Sequence, residues 1–424
     1  MLVKAPNSCS VSAAMSAPTV EQLLAERVDG RHRGFGAVAE GLTVAELGAQ
    51  RYDLRRGDLP LPLLVLRASA LEHNLRAMHG WCAERGLSLA PHGKTAMAPQ
   101  LVRRQLEAGA WGMTAATVQQ LAVMRAAGAR RVIVANEVVG AAEIAWLARE
   151  RAAGCEVHCL VDSVAGARQL DAGLAAAATR DAAAGPLPVL VEIGGARAGC
   201  RTDDTALAVA GAVEAAPRLV LAGVEGYEGT LGSDREPGTL AAVDAFLDRL
   251  RELAVQLDAR GAFAGVPEIL VSAGGSALFD RVAQRLAFPE PLSRPVRVVI
   301  RAGCYLTHDD GLYARVSPLP ELRPALELWA RVLSCPEPGL AIAGFGKRDA
   351  PYDLGLPVVR EPAGVTVEAL ADQHAFLRDP AGALRVGDVL RSGISHPCTA
   401  FDRWSLIPVL DDEDVVIDAV RTLF

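Results

Sequence analysis

Between residues 87 and 303 the chain alternates short apolar stretches with helix-length amphipathic ones, eight times in succession. The stretches are Leu87–Lys94, Trp111–Ala116, Arg131–Glu137, Val157–Ser163, Pro188–Gly195, Leu221–Gly229, Glu268–Ser276 and Val296–Gly303. Between them lie helical patterns such as Pro99–Gly109 and Val243–Leu257, the latter with apolar residues at three- and four-residue spacing. Strands separated by helix-length segments pair in parallel through crossovers. Eight consecutive units predict an α/β fold, a (β/α)8 TIM-type barrel, over an open sheet. No dinucleotide fingerprint follows the first strand, which counts against a Rossmann arrangement.

After about residue 305 the texture changes. Leu326–Pro336, Leu340–Gly346, Pro357–Asp372 and Asp388–Cys398 are short, rich in Val and Leu, and punctuated by Gly and Pro. They predict a mostly β C-terminal domain. The domain reading is an N-terminal extension over 1–60, a barrel over 61–305 and a β domain over 306–424. The strand-like Leu61–Ser69 precedes the first barrel strand and is open to membership of the second domain. The alanine-rich stretch 172–185 reads as a helix followed by a surface loop.

Composition narrows the function classes. Apolar residues make up 51% of the 424, enough for a large core. Lys and Arg number 43 against 50 Asp and Glu, a net charge of −7, and aromatics are only 4%. Such a chain has no global attraction for phosphate backbones, so nucleic acid is not expected as a partner. No uninterrupted apolar run of about 18 residues predicts a membrane span. The opening twenty residues read as a loose tail without a compact targeting core. The eight cysteines, in a long chain without a secretory signal, read as thiols and point to the cytoplasm.

Polar and glycine-bearing groups follow the strands at the end where barrel enzymes collect catalytic groups. Lys94 ends the first strand in Pro-His-Gly-Lys-Thr. It reads either as a solvated loop lysine or as a Schiff-base lysine in a semi-apolar pocket. A phosphate-loop reading needs glycine at position 88, which is Ser. Ser272-Ala273-Gly274-Gly275-Ser276 and Arg301-Ala302-Gly303-Cys304-Tyr305 end the last two strands. Glycines there read as tight turns, or as an anion cradle of backbone N–H groups. A strand-end amine facing such a cradle suggests a phosphorylated aldehyde cofactor. In the β domain, His396 and Cys398 project to one side of an extended segment. They read either as a buried structural pair or as borderline-soft ligands of a metal with open positions.

With those residues in view, the chain resembles the D-serine dehydratase and D-threonine aldolase family, fold-type III pyridoxal-phosphate enzymes related to alanine racemase. The matching segments are Pro91–Thr95, Gln105–Ala110, Ala135–Val139, Ala196–Gly199, Gly226–Gly229, the two glycine turns and His396–Cys398. The resemblance implies that Lys94 holds pyridoxal 5'-phosphate and takes the α-proton. It implies that Arg197 approaches the cofactor's phenolic oxygen, that Tyr227 lines the pocket and that Arg301 faces the pyridine nitrogen. Ser272, Gly274, Gly275, Ser276, Gly303, Cys304 and Tyr305 would form or flank the phosphate cradle. His396 and Cys398 would bind zinc or manganese. Aldolases of the family carry His and Asp at this spacing and dehydratases His and Cys, so Cys398 favours the dehydratase branch. The resemblance further implies a homodimer acting on a small D-amino acid. The long N-terminal extension is similar to that of bacterial proteins labelled amino-acid deaminases.

Overall fold

The computed structural model describes residues 17–36, 38–177 and 185–424. Its first strand, β1 (Leu63–Arg67), is buried throughout. Eight further strands follow, interleaved with helices: β2 (Ser88–Leu89), β3 (Met113–Ala115), β4 (Arg131–Glu137), β5 (Glu156–Val161), β6 (Leu187–Ile193), β7 (Leu219–Gly226), β8 (Ile269–Ala273) and β9 (Val296–Ile300). All are parallel, in the order β2-β9-β8-β7-β6-β5-β4-β3. The ring closes where the chain just past β2 meets β3. Thr114 N–H donates to Pro91 O at 2.8 Å and Gly93 N–H to Thr114 O at 2.9 Å. The predicted barrel is what the chain forms.

Covered on both faces, these strands read as Val/Leu/Ile runs. Helices bury their apolar stripes against them. The helix Pro237–Ala259 covers Val243, Leu247, Leu250, Leu253, Ala254 and Leu257, and starts on a proline whose missing N–H costs nothing there. The predicted helix at Pro99 likewise runs Pro99–Glu107. Of the alanine-rich stretch, the helix Val164–Ala177 is described. Its expected surface loop lies outside the described residues, as does the expected loose tail up to residue 16.

The C-terminal strands are β10 (Leu326–Glu337), β11 (Leu340–Ala343), β12 (Val358–Glu361), β13 (Thr366–Leu370), β14 (Ala375–Arg378), β15 (Val389–Gly393), β16 (Leu406–Leu410) and β17 (Val416–Arg421). They form the predicted second, mostly β layer. β1 belongs to it, antiparallel to β10 and parallel to β16. The domain boundary expected at 61 therefore falls just before a strand of the second sheet. A buried ion cluster holds this junction. Glu327 on β10 accepts from Arg67 at 2.7 Å, Arg360 at 2.8 Å and Arg391 at 3.0 Å. Trp329 Nε1 also donates to it, at 3.1 Å.

The N-terminal extension lies against the second sheet. Glu26 pairs with Arg421 at 2.7 Å, and the Arg33 guanidinium lies 3.9 Å from the Trp404 ring centroid. Among the described residues, no helix is long and apolar enough to cross a membrane.

Candidate active site

A cavity of about 490 Å³ opens at the C-terminal end of the barrel strands, roofed by the second domain. Lys94 reaches it from the loop after β2, Glu192 from β6, Arg197 from the loop after β6 and Tyr227 from the end of β7. Gly274, Gly275 and Ser276 follow β8; Arg301, Gly303 and Cys304 follow β9; His396 and Cys398 follow β15. The fold thus gathers in one cavity groups that stand some 300 residues apart in the chain.

Ser272 and Tyr305, the remaining expected cradle residues, are turned elsewhere. The Ser272 hydroxyl donates to Val299 O at 3.1 Å inside the sheet, and Tyr305 OH accepts from Gln105 at 3.1 Å in the buried core.

Two glycines let the cavity wall pack closely. A Cβ on Gly275 would stand 2.8 Å from the Tyr227 ring, and one on Gly303 would run into His92 O. The Gly274 and Gly275 amides do not stand idle. Both donate to the buried carboxylate of Glu228, at 3.0 and 2.6 Å. The Cys304 amide donates to Ser276 Oγ at 3.2 Å.

Charge in the cavity floor is strongly organised. Arg301 pairs with Glu225 and donates to Gly226 O at 3.2 Å. Arg301 Nε and Glu225 Oε2 nevertheless have no partner in the protein. Burial, then the carboxylates of Glu225 and Glu137, push Glu192 up to about 9. Burial also raises Tyr227, whose ring carries the Arg197 guanidinium 4.7 Å from its centroid. Burial, then the charges of Lys94 and Arg301, hold His92 well below its usual range, so its imidazole is neutral.

On the opposite wall, His396 Nδ1 bonds Asp353 at 2.8 Å, which leaves Nε2 for another partner. Cys398 Sγ lies 3.4 Å from Cys304 Sγ, and the Thr95 hydroxyl touches the two sulfurs at 3.6 and 3.7 Å. Cys398, Tyr313 and Thr95, all hydrogen-bonded to Cys304, outweigh burial and pull its thiol down, while Cys398 is pushed up. An imidazole and a thiol fixed in this way suit a zinc-type ion. Among the described residues, no group of three or more His, Cys, Asp or Glu side chains is arranged to hold one, so a metal here would keep open positions.

Asp353, Tyr313 and Glu225 escaped the sequence reading, and Thr95 entered it only as the end of the matching segment Pro91–Thr95. Asp353 sits in a Pro- and Gly-flanked loop with no periodic signature, 43 residues from His396. Glu225 looked like one more residue of an apolar strand.

Comparison with known proteins agrees with this architecture. The family model "Alanine racemase, N-terminal domain" matches residues 66–285, and "Putative serine dehydratase domain" matches residues 325–410. Barrel, second sheet and cavity define the alanine-racemase-like, fold-type III class. The chain belongs to the alanine racemase N-terminal-domain family. It is 29% identical over 357 residues to a D-threonine aldolase from Arthrobacter sp, covering 83% of this chain and 89% of that one. It is 28% identical over 219 residues to a D-threo-3-hydroxyaspartate dehydratase from Delftia sp. (strain HT23), covering 51% and 56%. The crystal structure of D-threonine aldolase from Filomicrobium marinum superposes with a TM-score of 0.74 at 26% identity, covering 86% of this chain and 95% of that one.

Proposed function

We propose that this protein is a pyridoxal-phosphate- and metal-dependent D-amino-acid dehydratase. Its substrate is D-serine, D-threonine or a related β-hydroxy D-amino acid, and its products are an α-keto acid and ammonia. The observation that carries this reading is one cavity holding Lys94 on one wall and the His396–Cys398 pair on the other.

The residues present fit both groups. The chain contains only three lysines, Lys4, Lys94 and Lys347, and Lys94 lines the cavity beside the glycine turns. The cavity beside Gly275 and Gly303 and the unpartnered Arg301 Nε leave room and polarity for a flat, anionic ring. With the Gly274 and Gly275 amides given to Glu228 and the Cys304 amide to Ser276 Oγ, the Ser276 hydroxyl and the Gly303 turn are the groups left for the phosphate. Pyridoxal phosphate, when bound, supplies an electron sink for charge at the substrate α-carbon. A metal held by His396 and Cys398 supplies a Lewis acid for the departing β-oxygen.

The chain's own side chains do the rest. Lys94 offers Nζ as the covalent anchor and as the base for the α-proton. Arg197, stacked on Tyr227, presents a fixed positive charge. Arg301, anchored by Glu225, presents a second. Protonated Glu192 can donate a hydrogen bond at neutral pH, and neutral His92 does not compete for Lys94 with a positive charge. Asp353 orients His396.

A retro-aldol lyase on the same scaffold is favoured by one observation: the relatives above include two D-threonine aldolases. Racemisation is the other chemistry open to the scaffold. Assaying the purified protein on a D-amino-acid panel separates them. Pyruvate or 2-oxobutyrate with ammonia supports the dehydratase; glycine with an aldehyde as the only products overturns it.

The same proposal places the enzyme in the cytoplasm, where the seven described cysteines would stay unpaired as they are here. It also makes it a homodimer. Val139, Leu231, Tyr352 and Leu354 are exposed apolar side chains in the loops around the cavity, a rim suited to a second copy.

A further inference from the structure

The contact between Cys304 and Cys398 plays no part in the chemistry above. Their Sγ atoms stand 3.4 Å apart, and a disulfide needs about 2.0 Å, so an approach of roughly 1.4 Å closes the bond. Both cysteines lie on single 3₁₀ turns, Cys304–Leu306 and Pro397–Thr399, outside any strand ladder. That approach breaks no sheet pairing. Thr95 holds the sulfurs side by side from beneath. Both face the open cavity, which admits small solutes. The five other described cysteines have no sulfur contact of this kind, and Cys82, Cys155, Cys159 and Cys200 are buried.

We propose that Cys304 and Cys398 form a redox-modification site, closed to a disulfide by a small peroxide and reopened by a dithiol. In the first step one sulfur attacks a peroxide oxygen, the O–O bond breaks and water leaves, giving a sulfenic acid. In the second, the neighbouring sulfur attacks the sulfenic sulfur, the S–O bond breaks and a second water leaves. Two thiols and hydrogen peroxide thus become a disulfide and two waters, with two electrons passed to the peroxide. The new bond joins residues 94 apart in sequence, stapling the barrel to the second domain across the cavity. If the proposed function holds, it also removes the thiolate that binds the metal.

The test uses the full-length protein, reduced, as purified and after chelation. Each sample is treated with hydrogen peroxide, alkylated and mapped by mass spectrometry without reduction. The expected result is a single crosslinked peptide pair containing Cys304 and Cys398, lighter by two hydrogens and lost on adding dithiothreitol. In Cys398→Ser, Cys304 is expected to be trapped by a sulfenic-acid probe instead. Two alkylated thiols, sulfinic acids without a crosslink, or pairing with another cysteine would overturn the inference. The two readings fail separately. A crosslink that leaves metal content unchanged sinks the metal assignment alone, whereas metal bound through Cys398 with no crosslink after chelation sinks the redox site alone.

Discussion

A carboxyl group that stays protonated near neutral pH in the fold, but ionises in the unfolded chain, ties stability to pH. Glu192 is such a group: its ordinary value is 4.5, and burial with the facing Glu225 and Glu137 takes it to about 9. Between about pH 5 and about pH 9 the folded state holds a proton that the unfolded state gives up. Stability therefore falls as pH rises through this window, by at most ~1.4 kcal/mol per pH unit for one proton. Thermal melts across the window are expected to show this decline, and Glu192→Gln to flatten it; an unaltered slope in the variant contradicts the assignment. At the other wall, Asp353→Ala should leave His396 unoriented and cut metal affinity about 10- to 100-fold. Metal retained against a competing chelator measures it, and equal retention rules out the orienting role. Neither carboxylate's role was legible in the sequence. Lys94 and the His396–Cys398 pair stood out because a strand-end lysine and an alternating His-x-Cys carry local patterns, whereas Arg197 and Tyr227 drew their roles from the family resemblance. Asp353 and the Cys304–Cys398 contact exist only through folding. Glu228 shows the same limit: the glycines advertised an anion cradle, but only the fold shows a carboxylate already seated on two of its amides.

At the level of elements, periodicity did most of the work. β4 begins and ends where its Arg-Val-Ile-Val-Ala-Asn-Glu run does. β2 is a regular strand only over Ser88–Leu89, yet its pairing runs on irregularly: Ala90 and His92 N–H donate to Ile300 and Arg301 O at 2.8 and 3.2 Å, with Pro91, which has no N–H, between them. The placement of β1 beside both β10 and β16 depends on a pairing across hundreds of residues, and no local pattern announces it. Its anchor is Glu327. Burial pushes this carboxyl up, but Arg67 and Arg391 outweigh it and bring it to about 2. Glu327→Gln would remove the buried charge these arginines share, while Arg67 keeps Asp414, Arg391 keeps Glu361 and Arg360 keeps Asp310, so the cost is about 1–3 kcal/mol. A clear drop in melting temperature is the expected outcome, and a variant as stable as the parent would show that the cluster is dispensable.

Across the whole molecule, the barrel supplies the amine and the glycine turns, and the second domain supplies the imidazole and the thiol. The cavity exists only where the two meet. On the proposed dimer, the exposed rim of Val139, Leu231, Tyr352 and Leu354 is where a second copy would seat. Light scattering is expected to give twice the mass of the 424-residue chain, and Leu231→Asp with Tyr352→Asp to shift it toward one. A monomeric parent protein would refute the dimer. The central claim is that Lys94, of the three lysines, bonds to the cofactor aldehyde. Borohydride reduction of the protein loaded with pyridoxal phosphate, followed by peptide mass mapping, addresses it directly. The account predicts one stable phosphopyridoxyl label, on the peptide containing Lys94. A label on Lys4 or Lys347, or none at all, would contradict it.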